Sequence, residues 1–443
     1  MHHDHYDLLI RDTTVLPMRS GSEVLPRHDV GVLGNTIVLV EPTIDVSPDA
    51  KTIIDGRKYV LIPGLINGHT HVGQTFLKAT TECMALKPWL EWNNERLVRM
   101  TPEDVHYAAL LAIIEMIQNG VTTFNDMFFF EEAIAEAVEL SGVRACLGQG
   151  IMEYTQEMGN LNVPGRHLED STAFAQKWNG KAGGRINTRL APHSLYTVSE
   201  NTLKETAACA QDLGLGIHTH LSETQLEIEF SQSTFGATPP TKYSEWGYMD
   251  VPFIAAHCVH LDSEDIDTLN VPGVGVAHNP TSNLKLRSGK APVELLIDLE
   301  DLAVGIGTDS AASNDCLDIL KEAHVAALIH DWEYGSPASL IALRMATIEG
   351  ARALGMDNEI GSVEVGKKAD LVLVDTDTPR FTPRNNIVHQ LVYSALSRDI
   401  VTVIVDGKIV MQDKEICTLD VKNVLEKARE RADRIHKNTL PNG

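Results

Sequence analysis

Basic residues are scarce in this chain: Lys and Arg total 37 against 61 Asp and Glu, a formal charge of −24 over 443 residues. Such a surface repels nucleic-acid phosphates and anionic membranes, so neither is expected as a partner. No apolar run reaches the length of a bilayer span. The opening Met1-His2-His3-Asp4-His5-Tyr6-Asp7 has neither a basic stretch nor a long apolar one behind it, so no secretory signal is expected. The six cysteines (Cys83, Cys146, Cys209, Cys258, Cys316 and Cys417) form no Cys-x-x-Cys pair and suggest no disulfide framework. Reduced, mostly buried thiols in a cytoplasmic protein are the expectation. Also missing is a glycine-rich phosphate loop after the first strand of the alternating region described below. That counts against an open, doubly wound sheet.

What is present is an ordinary globular balance, 43% hydrophobic and 22% charged. Residues 6–62 read as short β-rich runs such as Thr36-Ile37-Val38-Leu39-Val40, joined by Gly, Pro and Asp. A matching block returns with Asp370-Leu371-Val372-Leu373-Val374 and with Val401-Thr402-Val403-Ile404-Val405 before the turn Asp406-Gly407. Between them, apolar strands are expected near 61–67, 121–126, 145–151, 186–191, 216–220, 253–256, 274–277 and 303–307. Helical patterns separate most of them, and two longer ones follow at 316–329 and 337–353. Eight strands alternating with helices predict an α/β fold, a (β/α)8 TIM-type barrel over 62–360. Residues 1–61 and 361–443, the latter with a C-terminal helix, are expected to make a small β-sandwich from both chain ends.

In such barrels the chemistry sits at the C-terminal strand ends. The first strand ends in Pro63-Gly64-Leu65-Ile66-Asn67-Gly68-His69-Thr70-His71, whose two histidines share a face. The fifth ends in His218-Thr219-His220-Leu221-Ser222-Glu223, the sixth in His257-Cys258-Val259-His260, and the eighth in Gly307-Thr308-Asp309-Ser310. His69, His71, His220 and Asp309 make a set of three imidazoles and a carboxylate. They would hold one divalent ion, zinc first, with iron, manganese or nickel as alternatives, and leave room for a water. Such an ion lowers the pKa of that water toward neutrality. Glu223, three residues beyond His220, is placed to act as general acid on a ring nitrogen. Asp309 would accept a proton, and His257 would orient or help deprotonate the water. His218, deeper in its strand, reads as structural.

These motifs resemble the amidohydrolase superfamily over nearly the whole chain, including the return through Gly361-Ser362-Val363-Glu364-Val365-Gly366. His278-Asn279-Pro280-Thr281-Ser282-Asn283-Leu284-Lys285-Leu286 and Gly307-Thr308-Asp309-Ser310-Ala311-Ala312-Ser313-Asn314 are similar to signatures of the 5′-methylthioadenosine/S-adenosylhomocysteine deaminases. The resemblance implies a purine nucleoside substrate contacted by His193, Arg166 and Glu223, with Glu95 clamping the ribose hydroxyls. Barrels of this kind commonly form oligomers, so a homo-oligomer is expected. Phe76, Leu77 and Trp89 are candidates for a pocket around the 5′ substituent. Two departures stand out: the segment from Trp89 to Glu95 is short for those deaminases, and Ser310 and Asp315 replace an expected Gly and Asn. The alternative is a hydrolase of a triazine, guanine or other nitrogen heterocycle; it would need no ribose clamp.

Overall fold

The computed structural model describes residues 5–19, 23–45, 49–153, 166–333, 335 and 337–436. Eight parallel strands follow one another in a single sheet in chain order: β1 (Leu65–Thr70), β2 (Val121–Phe128), β3 (Arg144–Ile151), β4 (Ile186–Pro192), β5 (Gly216–Leu221), β6 (Phe253–His257), β7 (Val274–His278) and β8 (Ala303–Ile306). Every residue of these strands except Asn187 is buried, as expected when helices cover a parallel sheet. The two ends of the sheet meet at the C-terminal rim, where the Asp309 N–H donates to the His69 carbonyl at 2.9 Å. Gly307 permits this approach, since a Cβ there would lie 2.8 Å from the His69 nitrogen.

The apolar run leading to the first His pair does not continue as one strand. It breaks at Gly64, where a Cβ would collide with the Thr122 side chain. Tyr59–Pro63 therefore joins a second sheet, and β1 begins afresh at Leu65. That second sheet has nine mostly antiparallel strands. It pairs Tyr59–Pro63 with His5–Val15 on one side and Leu371–Asp375 on the other, so both chain ends build it. Leu8, Ile10, Val30 and Val32 from one end and Leu371, Leu373, Val401 and Ile404 from the other share one apolar cluster.

Two expected helices are shorter than their hydrophobic patterns. The first starts at Ile319, where the Asp318 side chain caps the amides of Leu320 and Lys321. The pattern over 337–353 divides into Ala338–Met345 and Ile348–Ala353, because Thr347 leaves helical geometry (φ −134°, ψ −99°). The C-terminal helix Val421–His436 lies against the helix Pro102–Gln118, with Arg431 and Arg434 both paired to the buried Asp104. The thiols are more exposed than expected: Cys146 and Cys258 are buried, Cys209 and Cys316 half-buried, Cys83 and Cys417 exposed. His2 and His3 lie outside the described residues, and His5 pairs with Asp49 at the surface.

Candidate active site

The strand ends bring His69, His71, His220 and Asp309 together at the rim. The His71 Nδ1–H donates to the Met127 carbonyl at 2.5 Å, and the His220 Nδ1–H donates to the His193 carbonyl at 2.7 Å. A carbonyl can only accept, so both rings carry their proton on Nδ1 and turn a bare Nε2 inward. Those two Nε2 atoms face each other at 3.2 Å. Two lone pairs at that distance repel unless a cation lies between them. The Asp309 Oδ1 stands 3.4 Å from His71 Nε2 and 3.6 Å from His69 Nε2, and the latter atom is buried without a hydrogen-bond partner. Ligands of a tetrahedral zinc with bonds near 2.0–2.1 Å stand about 3.3 Å apart. These spacings fit a single small divalent ion, with His69, His71 and Asp309 forming one close group and His69, His220 and His257 another that shares His69.

The surroundings keep these donors in the ligating state. Burial pulls the His69 pKa down to about 3 and lowers those of His71 and His220, so the rings are neutral near pH 7. The hydroxyls of Ser282 and Ser313 donate to Asp309 Oδ2 at 2.6 and 2.8 Å, leaving Oδ1 turned to the histidines. His218, read from sequence as structural, lies with Nε2 2.8 Å from His69 Nδ1 and holds that ring from behind.

Glu223 and His257 line the same cavity as His71, His220 and Asp309. The His257 Nδ1–H donates to the Asn283 side-chain oxygen at 2.7 Å, which leaves Nε2 facing Glu223 Oε2 at 3.9 Å. Burial lowers the His257 pKa, but Glu223 and Asp309 more than offset this and leave it raised. Burial likewise raises the acid of Glu223, which is 4% exposed and accepts from the Ser288 hydroxyl at 3.1 Å. A buried carboxyl whose acid is raised, set beside a cluster of ligands, is suited to proton transfer.

Of the residues expected to touch substrate, His193 lines the cavity, with Nδ1 engaged by the Thr197 hydroxyl at 3.1 Å. Arg166 is half-buried, and its carbonyl accepts from the amide of Met152, a cavity residue. Glu95 is placed elsewhere. It lies on the outer side of the helix Leu86–Leu97 with its side chain 70% exposed beside Arg96, while Trp89, Asn93 and Asn94 of that helix line the cavity. The helical period explains this: neighbouring positions turn away from the face that Trp89 and Asn93 share. Glu95→Ala is expected to change kcat and KM by less than about twofold, as for other exposed substitutions. Phe76 and Leu77 are buried but do not line the cavity. An adjoining recess of about 530 Å³ shares Leu86, Leu90 and Tyr196 with it.

The bracing side chains Ser282, Asn283, Ser288 and Ser313 had no role assigned from sequence, nor had Asn125, whose Nδ2 lies 3.1 Å from His218 Nδ1. Ser282, Asn283 and Ser313 stand within the two polar motifs after β7 and β8, which was the available signal.

A parallel eight-stranded barrel with a rim of neutral imidazoles and one aspartate belongs to the metal-dependent hydrolase class. The profile of the amidohydrolase family matches residues 60–410, and the chain belongs to that family. It is 40% identical over 434 residues to a 5-methylthioadenosine/S-adenosylhomocysteine deaminase of Thermoanaerobacter pseudethanolicus, covering 96% of this chain and 98% of the relative. A crystal structure of an adenosine deaminase from Xanthomonas campestris with bound zinc is similar at a TM-score of 0.91 and 32% identity, over 98% of this chain and 99% of that one. An atrazine chlorohydrolase from Arthrobacter aurescens in complex with zinc shares the fold at a TM-score of 0.86 and 24% identity, over 96% and 100% of the two chains.

Proposed function

We propose that this chain is a hydrolytic deaminase of adenosine-type nucleosides. It would convert the 6-amino group of 5′-methylthioadenosine, S-adenosylhomocysteine or a relative to the inosine analogue, releasing ammonia. The observation that carries this reading is Glu223, a buried carboxyl whose acid is raised, set in one cavity with His257 and Asp309. The near full-length likeness to deaminases of those two nucleosides supports the substrate class.

His69, His71, His220 and Asp309 would hold the divalent ion, zinc in this proposal, which lowers the pKa of water at the site and supplies the nucleophile at neutral pH. Glu223 donates its proton to the ring nitrogen beside the carbon under attack, so that negative charge does not build up on the ring. His257, fixed by Asn283, presents Nε2 to the reacting oxygen, and Asp309 with His257 passes a proton to the departing amine. His193 has Nδ1 committed to Thr197 and so offers Nε2 to a purine nitrogen. Arg166 lies one hydrogen bond from the cavity wall and is the proposed contact for the far end of the nucleoside.

The test is ammonia release from a panel of 5′-methylthioadenosine, S-adenosylhomocysteine, adenosine, guanine, cytosine and an amino-triazine. Turnover of the nucleosides alone supports the proposal; turnover of a bare ring with silence on nucleosides sinks it. Dialysis against a chelator is expected to abolish activity, and added zinc to restore it, with metal content read by atomic emission. Cytoplasmic location and homo-oligomeric assembly belong to the same proposal. The first is supported by unpaired cysteines, and the second is open to a solution mass measurement.

A further inference from the structure

We propose that Glu227 is a positioning residue for Glu223: its two carboxylate oxygens hold the backbone amides of Ser222 and Glu223 and thereby set the reach of the acid into the cavity. The proposal rests on the reading of Glu223 as proton donor.

In sequence, Thr224-Gln225-Leu226-Glu227 is a capping box at the start of the helix Gln225–Phe235. In that motif the glutamate reaches back to the amide of the capping threonine. Half of the box forms here, with the Glu227 N–H donating to the Thr224 hydroxyl oxygen at 3.4 Å. The carboxylate passes Thr224 by. Its Oε1 accepts from the Ser222 N–H at 3.0 Å and its Oε2 from the Glu223 N–H at 2.8 Å. Helix capping alone would not need this detour.

The held segment is one that would otherwise relax. Ser222 sits at φ +50°, a left-handed conformation unfavourable for a residue with a side chain. Its carbonyl accepts from the amides of Val259 and His260 at 3.0 and 2.9 Å, just beyond His257. The Ser222 residue is thus gripped by Glu227 through its amide and by the loop carrying His257 through its carbonyl. This fixes Glu223 relative to His257. Glu227 is 2% exposed, and among the described residues no Lys, Arg or His forms an ion pair with it. Burying such a group is costly, and the two amides are its compensation. Burial raises its acid, and those two amides, which only a carboxylate can satisfy together, pull it back.

Glu227→Gln keeps the shape but turns one acceptor into a donor facing an N–H. With 5′-methylthioadenosine it is expected to lower kcat about 10- to 100-fold, the scale of a small misplacement of a catalytic group. KM is expected to move less than about threefold and metal content not at all. The discriminating measurement is the cycle with Glu223→Gln. If Glu227 acts through Glu223, adding Glu227→Gln to Glu223→Gln costs less than about twofold more. A multiplicative loss in the double variant, loss of metal in Glu227→Gln, or unchanged kcat would overturn the proposal. Should Glu227→Gln not fold, Glu227→Asp, a methylene too short to reach both amides, enters the same cycle. Failure of both to fold would make Glu227 a folding element and overturn it equally. If Glu223→Gln itself keeps full turnover, the reading of Glu223 fails; if Glu223→Gln is inactive and Glu227→Gln is fully active, only the positioning role fails.

Discussion

Glu223→Gln is expected to lower kcat by about 10²- to 10⁴-fold, the range supplied by a positioned general acid. The amide keeps the size of the side chain and an oxygen to accept from Ser288, so the cavity wall is preserved. It has no acidic proton to give. Glu223 is not among the four converging donors, so the variant should bind metal in the same stoichiometry as the parent chain. KM should change far less than kcat, since the missing proton transfer belongs to the transition state. Steady-state ammonia release paired with metal analysis checks this, and a variant that retains full turnover would remove Glu223 from the mechanism.

Arg144→Met is expected to destabilise the fold by about 3–5 kcal/mol, the cost of leaving buried carboxylates without their cation. Arg144 opens β3 and is among the largest fully buried side chains. Its Nε and Nη2 donate to the two oxygens of Asp370 at 2.9 and 3.2 Å, and Nη2 also reaches Asp406 at 3.3 Å. Asp370 immediately precedes the strand Leu371–Asp375, and Asp406 sits in the turn after Ile400–Val405. The ion triad therefore bolts the barrel to the sheet made by the chain ends, at the end of β3 remote from the rim chemistry. Denaturant unfolding should show the loss as an earlier midpoint, while metal content at low denaturant stays unchanged. A midpoint equal to that of the parent chain would show that the triad contributes nothing net.

The barrel was legible because its strands are short apolar runs separated by helical periods, and both signals are local. The convergence of His69, His71, His220 and Asp309 was legible for a related reason: each stands at or just past the end of a strand, and strand ends of a barrel converge. The break at Gly64 was not legible. It depends on Thr122, a residue of the neighbouring strand pressed against that glycine. Glu95 failed to reach the cavity because a helix spaces its faces by 3.6 residues, and the start of Leu86–Leu97 could not be fixed from sequence closely enough to say which face it would present. The structural reading of His218 takes a specific form that the sequence did not name, a ring braced against His69. Its partner is another histidine on a different strand, and spacing within one strand does not say which side chain across the barrel a deeper ring will meet.

The second sheet has a consequence for how the chain is made. Leu371–Asp375 must pair with Tyr59–Pro63, yet about 300 residues separate them, and synthesis at roughly 5–20 residues per second leaves the earlier strand waiting some 15–60 s. During that interval its hydrogen-bonding edge and the apolar faces of Val60 and Leu61 have no native cover, so a nascent chain halted short of residue 371 should be held by chaperones or aggregate, whereas one extended through Gln412 should be released in soluble form.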